Sequence, residues 1–141
     1  MAHLVESMMY VGKTPWHGLG TPIPADKQIS VREAIVAAKL DWRVELRSLY
    51  TEKPDGGAKS GILDHYAVCR TSDNAFLGLV GPDYVPLQNE EALKWFQPFL
   101  DFDSATLETA GSLNGGKQVW ALAKIRNGKM DVGKEDPVAH Y

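Results

Sequence analysis

Residues 30–47 read SVREAIVAAKLDWRVELR, and this stretch sets the fold class because a helical pattern gives way to a strand pattern within it. Ser30 and Glu33 form a Ser-x-x-Glu capping box, in which each side chain satisfies a backbone N–H group of the other residue. Apolar residues then recur at helical spacing as far as Leu40. From residue 42 to residue 47, apolar and charged residues alternate, which is the period of a half-buried strand.

The remaining elements are predicted outward from this stretch. Residues 65–70 and 76–80 are strand-like runs joined by a short polar link, which predicts a hairpin. A second helix is predicted to begin at Asn89. A second hairpin is predicted from residues 106–112 and 119–125, with a glycine-rich turn between them. The order helix, strand, hairpin, helix, hairpin predicts an α+β fold, an antiparallel sheet built from hairpins with two helices packed on one face.

The domain organisation follows from length and from where proline and glycine concentrate. The chain has 141 residues, the usual size of one domain. Residues 1–29 hold several prolines and glycines and few periodic signals, so we predict an extended Pro/Gly-rich arm there. Residues 30–141 are then predicted to form a single α+β domain.

Composition excludes several classes of function. The net charge of −3 argues against a protein that coats duplex DNA by charge alone. Cys69 is the only cysteine, so neither an internal disulfide nor a thiolate zinc cluster is expected. There is no apolar run of about 18 residues and no secretory leader pattern, so no membrane partner is predicted and a cytoplasmic location is expected.

No catalytic constellation is evident. Residues 111–117 match the glycine and lysine spacing of a phosphate-binding loop, but Gln118 stands where a magnesium-holding hydroxyl is needed. The residues that follow are strand-like, whereas a phosphate loop opens a helix, so a hairpin turn is predicted instead. The four histidines lack metal-ligand spacing. We therefore predict no catalytic residues, metal or cofactor, and favour a protein that is not an enzyme.

Aromatic residues beside cations suggest a different kind of site. A Trp-His pair followed by two closely spaced glycines can stack on a base, and arginines on the polar face of a strand can contact phosphates. The alternatives are that the tryptophan docks into the core and that the arginines only solvate a strand face. The candidate nucleic-acid-binding residues are Trp16, His17, Arg43, Arg47, Arg70 and Lys117.

Four stretches together resemble a known family. They are YVGKTPWHGLGT at 10–21, LDWRVELRSLY at 40–50, GPDYVPLQN at 81–89 and ETAGSL at 108–113. They resemble the phage/plasmid-like protein family that carries domain of unknown function 932, in family order and over most of the chain. These motifs carry no catalytic assignment that could be transferred to this chain. Members of the family are usually more than twice as long as this chain, so the chain is either a fragment or a short form. An exposed sheet edge at its end would allow oligomers to form.

Two functions from different classes are expected. The first is a phage- or plasmid-type accessory protein that binds or anneals single-stranded DNA, which the resemblance and the candidate residues favour. The second is a phage-encoded inhibitor, of the anti-CRISPR type, that binds a host defence protein through acidic stretches at 101–103 and 135–136. A structural or assembly role is the remaining alternative. Each would act in the host cell cytoplasm.

Overall fold

The computed structural model describes residues 4–126, together with the backbone of two short strands at 129–131 and 137–139. Along this part of the chain, runs of two or more strands are separated by helices, so the protein is a mixed α+β protein. The helices are α1 (Val31–Ala37), α2 (Asn89–Lys94) and α3 (Gln97–Asp101). The strands are β1 (Val5–Val11), β2 (Thr21–Ile23), β3 (Val44–Thr51), β4 (Ser60–Arg70), β5 (Phe76–Val80), β6 (Ala105–Leu113), β7 (Gln118–Ile125), β8 (Lys129–Asp131) and β9 (Pro137–Ala139).

The chain divides into two compact units. Unit 1 combines the stretch up to Asp41 with the stretch from Asn89 onward, and unit 2 is Trp42–Gln88. Strands β1 and β2 lie within residues 1–29, where an extended arm is predicted, and both are hydrogen-bonded members of the sheet in unit 1. The division into an arm and a domain that begins at residue 30 stays a prediction.

Unit 1 is built on a four-stranded sheet in the order β2-β1-β6-β7. Its pairings are antiparallel except for the parallel pair of β1 and β2. Helices α1 and α3 contact β6, and α1 also contacts β1. The side chains of Met9, Leu40 and Ala110 have no exposed surface. The predicted fold class is thus confirmed, with helices against a largely antiparallel sheet.

Helix α1 begins where the sequence predicts. Ser30 Oγ accepts a hydrogen bond from the Glu33 backbone N–H at 3.2 Å, and a Glu33 carboxylate oxygen accepts one from the Ser30 N–H at 2.9 Å. Val31, Ala34 and Ile35 form the buried face of the helix. The capping box is therefore confirmed, and it aligns the apolar face of α1 with the sheet. No helix in the described part of the chain is long and apolar enough to cross a membrane.

The second hairpin of the prediction is also confirmed. Strands β6 and β7 pair antiparallel from Ala105↔Ile125 to Leu113↔Gln118. A single 3-10 turn at Asn114–Gly116 joins them, with Asn114 and Gly115 in the left-handed region at φ 53° and 66°. Because β7 follows directly, the glycine-rich segment has the geometry of a hairpin turn and not of a phosphate-binding loop.

Unit 2 is a three-stranded antiparallel sheet in the order β3-β4-β5. The predicted hairpin of β4 and β5 is confirmed, with β4 longer than predicted. Burial is concentrated in the second half of β4, at Ala67–Arg70. Trp42, Val44 and Leu46 share the predicted alternation but are only half-buried. The tryptophan thus lies at the margin of the core of unit 2.

Candidate functional site: a groove on the four-stranded sheet

Two β-bulges interrupt the sheet of unit 1, and each carries a glutamate. The register between β1 and β6 shifts across Glu6, and the register between β6 and β7 shifts across Glu108. A bulge leaves its extra residue outside the regular pairing and re-aims its side chain. Both glutamates line cavities: Glu108 lines a large groove and Glu6 a smaller cavity.

The larger cavity is a groove of about 580 Å³ between the sheet and the loop that follows β1. This volume lies within the ordinary range of ligand sites, roughly 300–1,000 Å³. Apolar side chains form its floor: Met8, Tyr10, Leu113, Trp120 and Leu122. Polar side chains also line it: Lys13, His17 and Glu108. The groove therefore combines an apolar surface with both signs of charge.

Strand register explains why the floor is apolar. Met8 pairs with Gly111, and Gly111 pairs with Trp120 on its other side. Directly paired residues share a face of a sheet. A Cβ atom at Gly111 would overlap the indole of Trp120, so the glycine lets this ring lie across the central strand. The indole thus forms part of the groove floor.

The loop at residues 12–20 presents an aromatic pair beside the groove. Trp16 is 83% exposed, so the alternative in which it docks into the core is wrong. Its ring meets that of His17 edge-on, with 5.6 Å between the ring centroids. His17 Nδ1 accepts a hydrogen bond from the Leu19 backbone N–H at 3.0 Å, which fixes the imidazole. In the neutral ring the proton is then on Nε2.

Close backbone approach holds this loop against the sheet. Gly20 adopts φ 108°, and a Cβ atom there would lie 2.7 Å from Met8 Cγ and 3.0 Å from the Met8 carbonyl oxygen. Only glycine suits both the backbone angle and the space. Tyr10 also donates a hydrogen bond from its hydroxyl to Thr14 Oγ1 at 3.4 Å. The glycine after the Trp-His pair thus allows the loop to pack closely on β1.

Unit 1 carries one lysine in the groove lining and two more on or beside β7. Lys13 lines the groove, and Lys124 follows Leu122 by two residues on β7, which places both on one face of the strand. Lys117 is exposed where the 3-10 turn meets β7. Within residues 4–126, none of these lysines has an ion-pair partner. Lys117 is the one of the three that the sequence analysis identified.

The three candidate arginines all belong to unit 2. Arg43 is exposed. Arg47 forms an ion pair with Glu45, with 2.6 Å between Nη2 and Oε1, which reduces its capacity to bind a phosphate. Thus the structure places Trp16, His17 and Lys117 in one unit and the arginines in the other.

Arg70 has a structural environment. It is buried, its guanidinium lies 5.2 Å from the ring centroid of Trp42, and its Nη2 is 2.7 Å from Asp73 Oδ2. The guanidinium hydrogen bonds, followed by the hydrogen bond from the Ala75 backbone N–H, lower the pKa of Asp73 to about 2. The Arg70 side chain is therefore committed to holding the β4–β5 turn.

Sequence reasoning missed most of the groove floor. Tyr10, Glu108 and Trp120 come from three strands, and the pairings of β1 with β6 and of β6 with β7 bring them together. Trp120, Leu122 and Lys124 are spaced two residues apart, which places them on one face of a strand. This spacing could have indicated an apolar strand face that ends in a lysine. Within the described residues, no group of three or more His, Cys, Asp or Glu side chains could hold a metal ion.

Comparison with known proteins finds one family that part of the chain resembles. Residues 76–141 match the family model described as Domain of unknown function (DUF932). This stretch includes β6 and β7, which supply the Trp120 side of the groove, whereas the loop with Trp16 precedes it. No curated protein and no solved structure matches the chain.

Proposed function

We propose that this chain, whose residues 76–141 match the family model of domain of unknown function 932, binds single-stranded DNA through unit 1. One base stacks on Trp16, a neighbouring base enters the groove over Trp120, and lysines contact the phosphates. The protein would act as an accessory factor of a phage- or plasmid-type element.

The exposed indole of Trp16 beside an apolar groove carries this proposal. Transfer of a tryptophan ring from water to a buried site is favourable, so an indole that is 83% exposed forgoes stabilisation of the fold. Base–aromatic stacking tolerates any sequence and contributes about 1–3 kcal/mol per base. The edge-on contact with His17 holds the ring beside the groove rather than leaving it to rotate freely.

The charges suggest how the single-stranded DNA is oriented on unit 1. Glu108 lines the groove, where a carboxylate repels phosphates but accepts hydrogen bonds from the exocyclic amino group of a base. Lys13, Lys117 and Lys124 supply positive charge for the backbone. We therefore propose that bases face the groove and phosphates face the lysines. Bases held in this way cannot pair, so the proposal favours binding over annealing.

Fluorescence anisotropy with a labelled single-stranded oligonucleotide, at low and at moderate salt, tests the proposal. Trp16→Ala should weaken binding by about 1–3 kcal/mol, because one stacking platform is lost. Trp95→Ala is the matched control, since Trp95 is 66% exposed in unit 1 but lies between α2 and α3. The control should bind like the parent. Absence of binding by the parent at low salt would remove the proposal.

Charge variants then identify the unit that contacts phosphates. Lys13→Gln should lower affinity uniformly across sequences and reduce the salt slope by about one. Arg43→Gln makes the same change of charge in unit 2. If only Arg43→Gln alters the salt slope, the single-stranded DNA binds unit 2 and the groove proposal is wrong. Arg47→Gln should have the weaker effect of the two arginines, because Glu45 already neutralises it.

A protein-binding inhibitor is the second candidate, and one surface favours it. Phe102 is 84% exposed between Asp101 and Asp103, and Trp95 and Phe99 are exposed nearby in the sequence with their rings 5.1 Å apart. Exposed aromatics flanked by carboxylates suit a partner rich in lysine and arginine. The other acidic stretch, 135–136, lies outside the described residues. Phe102→Ser should abolish inhibition of a defence complex while leaving DNA binding unchanged.

A further inference from the structure

A second cavity in unit 1, of about 240 Å³, lies beside the bulge at Glu6. It is formed by β1, the end of the loop before β2, the first residue of β2, and Lys39, two residues after the end of α1. Val5, Met8 and Leu19 give it an apolar side, and Glu6 and Lys39 bring one charge of each sign. Like the larger groove, this smaller cavity carries both signs of charge.

The carboxylate of Glu6 is held by a buried serine. Ser112 has no exposed surface, and its hydroxyl donates a hydrogen bond to Glu6 Oε2 at 3.0 Å. The hydroxyl of Ser7 lies 3.1 Å from that of Ser112 and completes the cluster. Burying a hydroxyl is costly unless it is hydrogen-bonded, and here the bond orients a side chain at a cavity. A carboxylate has about four acceptor positions, so it can accept further hydrogen bonds.

Lys39 occupies a position that favours glycine. The Leu40 N–H donates to the Ile35 carbonyl at 2.8 Å and the Lys39 N–H to the Val36 carbonyl at 3.1 Å, which is the Schellman ending of a helix. Lys39 therefore has φ 55°, a left-handed angle that side chains with a Cβ rarely adopt. In the described part of the chain, its ammonium group has no ion-pair partner.

We propose that this cavity binds a small zwitterion, an α-amino acid with a small apolar side chain. Its carboxylate would pair with Lys39, its ammonium group would donate to Glu6, and its side chain would contact Val5, Met8 and Leu19. The volume admits a single amino acid and little more. The unfavourable backbone of Lys39 is then retained because an ammonium group is needed at this point. This site is distinct from the DNA-binding groove, although Val5 and Met8 contribute to both cavities.

Saturation-transfer NMR with L-alanine and L-valine tests the proposal on the intact chain. Both amino acids should bind, whereas acetate and ethylammonium, which carry one charge each, should bind at least tenfold more weakly. Glu6→Gln should reduce amino-acid affinity at least tenfold. Lys94→Gln, which removes a lysine of α2 outside this cavity, should leave the affinity unchanged. Equal binding of acetate, or no binding of either amino acid, would overturn the proposal.

Lys39→Gly separates loss of the site from loss of the fold. Glycine relieves the left-handed backbone, so this variant should melt at a higher temperature than the parent. The same variant should lose amino-acid binding, because the ammonium group is gone. A more stable protein that binds less is an outcome that a damaged fold cannot produce. Retention of parental affinity by Lys39→Gly would show that Lys39 has no part in binding.

Discussion

Unit 1 and unit 2 differ in how extensive a buried apolar core they have. Unit 1 has an apolar core, in which Met9, Leu40 and Ala110 have no exposed surface beneath α1 and α3. In unit 2, the buried residues are confined to Ala67–Arg70 of β4, and the largest of them is an arginine. The comparison shows that apolar packing stabilises one unit, whereas the other relies more on polar contacts.

The polar contacts of unit 2 are local and specific. The side-chain amide of Gln88 accepts a hydrogen bond from the Val44 N–H at 2.9 Å and donates one to the Val44 carbonyl at 3.0 Å. This amide thus pairs with β3 as a neighbouring strand would. Arg70 and Asp73 hold the β4–β5 turn in a similar way. Unit 2 should therefore respond to loss of single polar groups, and unit 1 to changes of volume.

The largest expected effect is a cavity in the core of unit 1. Leu40→Ala should lower the free energy of unfolding by about 2–5 kcal/mol, because a fully buried side chain is truncated. Urea unfolding followed by circular dichroism measures the loss. Val36→Ala is the matched control, since Val36 is 61% exposed on α1, four residues before Leu40. A loss below that of Val36→Ala would mean that unit 1 does not depend on this core.

Overpacking the central strand should have the next largest effect. Gly111→Ala places a methyl group where the Trp120 ring and the Ser7 carbonyl already lie, so β6 or the ring must move. We expect a loss of about 1–3 kcal/mol in unfolding free energy and a changed tryptophan emission spectrum. Gly78→Ala, a glycine on β5 with open space around it, is the control in unit 2. Equal effects of the two substitutions would contradict the packing of Trp120 over Gly111.

Much of the fold was predictable because local signals and tertiary structure agree. The capping box at Ser30 and the two hairpins depend on neighbours in the sequence. Strand β1 was not predicted as a strand, since its residues at Met8, Met9 and Tyr10 are all buried and show no alternation. Both faces of this strand are covered, which removes the period of two.

The groove could not be predicted from local sequence. Its floor requires β1 to pair with β6, and the hydrogen bond of Ser7 with Ser112 joins residues 105 positions apart. Glu6 and Glu108 acquire their places from bulges, which depend on register rather than on residue type. The exposed Trp16 was identified from its neighbouring glycines alone. Single residues of the candidate site were therefore easier to identify from the sequence than the groove that they line.

A smaller effect is expected at the edge of unit 2. Gln88→Ala removes two hydrogen bonds to Val44, and each contributes about 0.5–1.5 kcal/mol net. Because water can replace the amide at a half-buried position, we expect a total loss of about 1 kcal/mol. Hydrogen exchange should show faster exchange of the Val44 N–H, while the amides of Met9 and Ala110 keep their protection. Uniformly faster exchange in both units would indicate that the two units unfold as one.

The smallest effect is one of pH, and it concerns Asp73. The carboxyl pKa is about 2 in the folded protein and 3.8 ordinarily, so the folded state favours the ionised form. Its contribution to stability is complete above the unfolded value and is lost as pH falls from about 4 to about 2. Asp73→Asn should therefore be less stable than the parent at pH 6, and the two stabilities should converge as pH approaches 2.

The control is Asp83→Asn, an exposed aspartate of unit 2 that has no hydrogen-bond partner among the described residues. Its stability should run parallel to that of the parent through the same range. If Asp73→Asn also runs parallel, then the carboxylate does not secure Arg70, and packing over Trp42 must hold the guanidinium instead. Trp42 is the only one of the four tryptophans in unit 2, so its fluorescence in a variant with phenylalanine at the other three positions would report this transition.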